Sequence, residues 1–232
     1  MFQYQAIRRI IPTVDGKTMK ARLDAILQRE QAEYLDQLLP AGDELLVEME
    51  RYAAEHRVPI ADREVAKFLE ITARTSGARK ALEIGMAIGY SVVHLVRGMG
   101  RQGSIVTIEP SDGMITAASG YLERAGLMDQ VRIERGKALD VMPRLSETFD
   151  LLFIDAVKEE YKQYLDLGLQ RLRAGGVVIV DNLLWGGRVA GDDNESSTVA
   201  LREFNPYFMQ HPQLLAVVLS VGDGLGYAVK IS

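Results

Sequence analysis

From Lys80 onward, five short apolar runs each lead into an amphipathic stretch: Ala81 to Ile84, Ser104 to Ile108, Val131 to Glu134, Leu151 to Ile154 and Val177 to Val180. Runs that are apolar at nearly every position belong to strands covered on both faces, and the helical periodicity between them supplies the covers. A chain written this way folds as βαβ units around a parallel sheet. The end breaks the rhythm, because Leu214 to Val221, Gly222-Asp223-Gly224 and Gly226 to Ile231 together predict an antiparallel hairpin. The expected fold class is therefore α/β, with a doubly wound, Rossmann-like mixed sheet.

Before Lys80 the chain reads as helical. Lys17 to Leu39 carries Leu23, Ile26, Leu27, Tyr34, Leu35 and Leu38 at near-helical spacing and stops at Pro40-Ala41-Gly42. A second helix is expected from Asp43 to His56, and Asp62 is placed to cap a third that runs to about Ser76. At 232 residues and 47% hydrophobic, the chain should bury roughly 70 to 75% of its unfolded surface. The expectation is one domain, with 1–42 as a helical arm and 43–232 as the core. The absence of cysteine excludes disulfides, thiolate metal sites and cysteine nucleophiles. No apolar run approaches the roughly 18 residues of a membrane span, and Met1 to Ile10 lacks the order of a secretory signal. A cytoplasmic protein with no membrane partner is expected. The 27 basic and 32 acidic residues leave a net charge of −5, which weighs against broad nucleic-acid binding.

The first strand runs into Glu83-Ile84-Gly85-Met86-Ala87-Ile88-Gly89-Tyr90-Ser91. In a doubly wound sheet this turn is where an adenosine-containing cofactor approaches, and glycine offers it bare backbone. The spacing is Gly-x-x-x-Gly rather than Gly-x-Gly-x-x-Gly, which weakens the case for a dinucleotide pyrophosphate. A plain tight turn is the alternative. Glu109, closing the second strand, has the acceptor capacity to take both hydroxyl protons of a ribose. It could equally be a solvated strand-end acid. Gly136-Lys137-Ala138-Leu139 follows the third strand at the same edge, where a small residue would let backbone groups meet an adenine ring.

The fourth strand ends in Asp155-Ala156-Val157-Lys158 and the fifth in Asp181-Asn182. Adjacent strand ends would bring Asp155, Asp181 and Asn182 together as hard oxygen donors suited to Mg²⁺, Mn²⁺ or Ca²⁺. Zinc is not suited, because His56, His94 and His211 are scattered and no thiolate exists. Helix capping by Asp155 and a simple turn at Asp181-Asn182 are the plainer reading. Convergence beside a cofactor loop favours the metal. Lys158 in a first helical turn faces the positive end of the macrodipole, which would ease loss of its proton and suit a general base; an exposed lysine without a role is the alternative. Trp185, the single tryptophan, follows in Leu184-Trp185-Gly186-Gly187, either as an aromatic cover for a planar acceptor or as core.

At these residues the chain resembles the cation-dependent, S-adenosylmethionine-using O-methyltransferases, the family of catechol and caffeoyl-coenzyme A O-methyltransferases. Within it the chain looks most similar to bacterial tRNA 5-hydroxyuridine methyltransferases, through Tyr52-Ala53-Ala54-Glu55-His56-Arg57-Val58-Pro59-Ile60, Met209-Gln210-His211-Pro212 and Val221-Gly222-Asp223-Gly224-Leu225. The resemblance implies a class I methyltransferase sheet of seven strands and S-adenosylmethionine as cofactor. Its methionine part would be held by Glu83, Gly85, Met86, Gly89, Tyr90 and Ser91, its ribose by Glu109, with Ala61, Lys137, Ala138 and Asp155 also touching it. Asp155, Asp181 and Asn182 would be the metal ligands, and Lys158 and Asp155 the catalytic residues. A homodimer is implied as well, with the N-terminal helix docking on a second subunit or, alternatively, packing on its own domain. Two departures stand out: the position of Lys137 is often acidic in the family, and Gly191-Asp192-Asp193-Asn194-Glu195-Ser196-Ser197 is acidic where tRNA phosphate would need cations.

The function expected is metal-assisted methyl transfer to a hydroxyl oxygen of a small catechol-like molecule. Hydroxyuridine in tRNA is the second acceptor. Carbon-5 pyrimidine methylation needs the missing cysteine, and the Asn/Asp-Pro-Pro-aromatic signature of exocyclic-amine enzymes is absent after the fourth strand. From other classes, an NAD-binding oxidoreductase would share the glycine loop and Glu109 but has no use for the three oxygen ligands, and a noncatalytic module has no use for Lys158.

Overall fold

The computed structural model describes residues 13–14, 17–18, 34–35, 37–40 and 42–232. Two compact units divide the chain, Met1–Ala41 and Gly42–Ser232. In the first, β1 (Thr13–Val14) pairs antiparallel with β2 (Lys17–Thr18). This corrects the helix expected to start at Lys17. β-Branched residues flank Asp15-Gly16, a strong two-residue hairpin signal that the helical periodicity farther on had masked. Of the rest of that helix, Tyr34, Leu35, Gln37 and Leu38 are helical, and 19–33 and 36 lie outside the described residues.

The second unit opens with α1 (Glu44–His56), whose cap Asp43 accepts from the Leu46 amide at 3.0 Å. Next comes α2 (Arg63–Thr75), for which Asp62 holds the cap position without making a side-chain capping bond. That carboxylate lies beside Gly222 of the C-terminal hairpin turn instead.

A sheet of seven strands follows, β3 (Lys80–Ile84), β4 (Ser104–Glu109), β5 (Val131–Arg135), β6 (Phe149–Ile154), β7 (Leu172–Val180), β8 (Leu214–Leu219) and β9 (Leu225–Lys230), in the order β5-β4-β3-β6-β7-β9-β8. The first five are parallel, and β9 runs antiparallel to both β7 and β8. All five predicted parallel strands and the hairpin are present, with β6 and β7 starting earlier than expected. Because β3 is followed by β4 on one side while β6 pairs on its other side, the carboxyl ends of β3 and β6 form the switch point where such sheets bind ligands.

Strand residues alternate between two cores. Ala81, Ile105, Leu151, Phe153, Val177 and Ile179 face the side covered by α1, α2, α3 (Tyr90–Met99) and α4 (Asp112–Arg124). Leu82, Ile84, Val106, Ile108, Leu152, Ile154, Val178 and Val180 face α5 (Ala138–Val141), α6 (Tyr161–Arg171) and α7 (Ser196–Met209). Burial on both faces explains why the strands read as continuous apolar runs. Among the described residues no helix is long and apolar enough to cross a membrane.

Candidate active site

The hydrogen-bond ladder continues one step past the strands and lines up their loops along one edge. Gly136 donates to the Glu109 carbonyl at 3.1 Å, Gly85 to that of Ile108 at 3.1 Å, Asp155 to that of Ile84 at 2.9 Å, and Asp181 to that of Ile154 at 3.0 Å. Parallel register thus brings together residues far apart in the chain.

Gly85 has φ +93°, and a Cβ there would stand 2.0 Å from the Asp155 carbonyl oxygen. The reason for this glycine is therefore the neighbouring protein backbone as much as any ligand. Gly89, at φ +85°, turns the chain into α3. Between them Ala87 also takes a positive φ, 45°, and its amide donates to Glu109 Oε2 at 3.0 Å, while the Ser111 amide donates to Oε1 at 2.9 Å. A carboxylate has about four acceptor positions, so Glu109 retains capacity for two hydroxyls and is held by both loops that flank it.

The other cofactor candidates differ in what they offer. Glu83 is fully buried, accepting from Ser91 Oγ at 2.6 Å and from Thr107 Oγ1. Burial outweighs these bonds and, with the charges of Asp155 and Glu109, pushes its carboxyl up to about 7. Tyr90 is buried and donates to Glu50 Oε1 of α1 at 2.6 Å. Met86, Ala61 and Ala138 are buried, and Lys137 is exposed at the start of α5. Backbone rather than side chains is what most of this set presents.

At the ends of β6 and β7, Lys158 Nζ donates to Asp155 Oδ1 at 2.9 Å and to Asn182 Oδ1 at 2.7 Å, so those two oxygens flank one point. Lys158 opens a single 3-10 turn before α6 and turns inward. It also donates to Tyr161 Oη at 2.6 Å, and Tyr161 in turn donates to the Asp181 carbonyl at 3.1 Å. Asn182 sits at φ 63°, a left-handed conformation that Asn tolerates, and its amide donates to Asp181 Oδ1 at 2.6 Å. Asp181 is 2% exposed, and burial first, then the Asp155 charge, lifts its carboxyl well above the ordinary range.

Among the described residues no three His, Cys, Asp or Glu side chains gather to hold an ion. The set here is two carboxylates and one amide. Its chemistry fits a hard divalent cation: oxygen donors only, and a carboxylate whose proton affinity is raised by burial first and then by a second acid beside it.

Trp185 follows at φ 51° with Lys158 Nζ 5.4 Å and the Arg188 guanidinium 4.7 Å from its ring centre. It is half-buried. Arg188 also pairs with Glu195 at 3.0 Å and Asp193 at 3.7 Å, which partly neutralises the acidic loop. Sequence reasoning missed Tyr161 and Thr107. The i, i+3 spacing of Tyr161 from Lys158 was available as a signal, whereas the pairing of Thr107 with Glu83 needed the strand register.

Residues 35–231 match the family described as O-methyltransferase. The catechol O-methyltransferase of Mycobacterium tuberculosis is 37% identical over 162 residues, 69% of this chain and 74% of that one. That of Niastella koreensis is 31% identical over 208 residues, covering 84% and 94%. Among solved structures, the O-methyltransferase from Bacillus cereus in complex with SAH superposes with a TM-score of 0.78 at 32% identity, covering 85% of this chain and 96% of that one. TomG from Streptomyces achromogenes, in complex with SAM, gives 0.80 at 29% identity, covering 89% and 100%.

Proposed function

The chain belongs to the O-methyltransferase family and is an S-adenosylmethionine-dependent enzyme, and we propose that it methylates one hydroxyl of a small catechol-like diol with a divalent cation, magnesium, manganese or calcium, held by Asp155, Asp181 and Asn182. The observation that carries this reading is the meeting of Asp155 Oδ1, Asn182 Oδ1 and Lys158 Nζ at the strand edge that also bears Glu109 and the glycine loop. The catechol O-methyltransferases among its relatives support the acceptor class. Charge disfavours the tRNA alternative, since the chain carries −5 overall and Asp192, Asp193 and Glu195 stand in the loop beyond Trp185.

S-adenosylmethionine supplies an electrophilic methyl group, and a divalent ion would supply positive charge that stabilises a deprotonated hydroxyl whose free pKa is near 10. The chain's own residues do the rest. Glu109, fixed by the Ala87 and Ser111 amides, binds the ribose hydroxyls, and Gly85 and Gly89 shape the loop beside it. Lys158, once it has given up a proton, receives the acceptor's hydroxyl proton at Nζ, and Asp155 orients that nitrogen. Trp185 offers a ring face against which a planar acceptor can stack and exclude water. Alignment of this kind contributes up to about 7 to 11 kcal/mol to a two-reactant step.

A methyl-transfer assay comparing catechol with hydroxyuridine-bearing tRNA, with and without EDTA, tests the proposal. Methylated catechol, lost on chelation and restored by added Mg²⁺, is the expected result. Undiminished turnover in EDTA would refute the cation, and methylation of tRNA alone would replace the acceptor.

A further inference from the structure

Lys158 Nζ carries three hydrogens and meets three oxygens, Asp155 Oδ1 at 2.9 Å, Asn182 Oδ1 at 2.7 Å and Tyr161 Oη at 2.6 Å. The lysine side chain is 8% exposed. No donor position is left over for water or for an acceptor molecule. Two of the three oxygens belong to the set assigned above to a divalent ion. The third does not: Tyr161 is fully buried and its own proton is committed to the Asp181 carbonyl.

An ammonium and a metal ion set against the same pair of oxygens would stand within a few ångströms of each other, where their like charges repel strongly. Asp181 is buried beside the end of β6 that bears Asp155, so a positive charge there is favourable, and in this arrangement the Lys158 ammonium provides it. We propose that Lys158 is an internal stand-in for the divalent ion, and that the ion gains Asp155 Oδ1 and Asn182 Oδ1 only by displacing the lysine nitrogen from them. The inference rests on the metal reading above. Its consequence is that the exchange frees two of the lysine's hydrogen-bonding positions, which Lys158 can then turn to the acceptor hydroxyl, while Tyr161 Oη remains as its anchor. The lysine therefore weakens the ion's affinity.

The test measures Mn²⁺ binding to the full chain by the electron paramagnetic resonance of free Mn²⁺, comparing wild type, Lys158→Met and Arg188→Gln. Arg188 lies against the same Trp185 ring but touches none of the three oxygens, so it reports the effect of a nearby positive charge alone. Since each contested bond is charge-assisted, Lys158→Met should tighten Mn²⁺ binding by about tenfold or more, and Arg188→Gln should leave it within about twofold. Lys158→Met binding no more tightly than wild type overturns the exchange while leaving the metal reading intact, and so does equal tightening in Arg188→Gln. No Mn²⁺ binding by wild type or Lys158→Met removes the metal reading and this inference with it. A second measurement uses wild type alone: the exchange-protected lysine ammonium resonance in ¹⁵N NMR should move or broaden when Mg²⁺ saturates the site, and an unmoved resonance also overturns the proposal.

Discussion

Replacing Glu83 with Gln isolates the cost of a carboxyl buried between β3, β4 and α3. Its ordinary value of 4.5 is raised to about 7 in the folded chain, chiefly by burial. Between those limits the folded protein keeps a proton that the unfolded chain releases, so the stabilisation from this group is complete below about pH 4.5 and lost as pH rises through about 7. At about 1.4 kcal/mol per pH unit, the gap amounts to roughly 3 kcal/mol. Gln keeps the shape and can accept from Ser91 and donate to Thr107, but it does not titrate. Urea unfolding followed by circular dichroism, at constant ionic strength from pH 4.5 to 8, should show wild type losing stability relative to Glu83→Gln by about that amount. Parallel stability curves for the two proteins would refute the claim that Glu83 is a buried, late-titrating acid.

Three further expectations follow from the site. Gly85→Ala forces a Cβ to 2.0 Å from the Asp155 carbonyl at φ +93°, which should cost a few kcal/mol; a wild-type melting temperature would contradict it. Lys158→Ala should lower kcat by about 10² to 10⁴ with a smaller change in KM, the signature of a lost general base; an unaltered kcat in steady-state kinetics would return Lys158 to a structural role. Tyr161→Phe removes one of the lysine's acceptors and the donor to the Asp181 carbonyl. It should cost about 1 to 3 kcal/mol in urea unfolding and reduce kcat while leaving KM for S-adenosylmethionine near wild type.

What the amino-acid sequence determined by itself was local and periodic. Apolar runs such as Leu151 to Ile154 specify two-sided strands wherever they stand, because only burial on both faces satisfies them, and the Gly222-Asp223-Gly224 turn specifies the closing hairpin. The acids and amide at the ends of β4, β6 and β7 could be read as a shared edge for the same reason: parallel strands present their carboxyl ends together. At the N-terminus periodicity misled, since the Asp15-Gly16 signal at β1 and β2 acts over two residues while a helix pattern is judged over many.

Tertiary structure alone decided which groups meet. That Gly85 yields to the Asp155 carbonyl, that Glu83 spends its oxygens on Ser91 and Thr107, and that Lys158 is bound by Asn182 as well as Asp155 all depend on contacts between residues of different strands and helices. Charge and hydrogen bonding act over a few ångströms in space regardless of separation along the chain, so the protonation and pairing of these groups were settled by the register of the sheet and the packing of α3 and α6 against it.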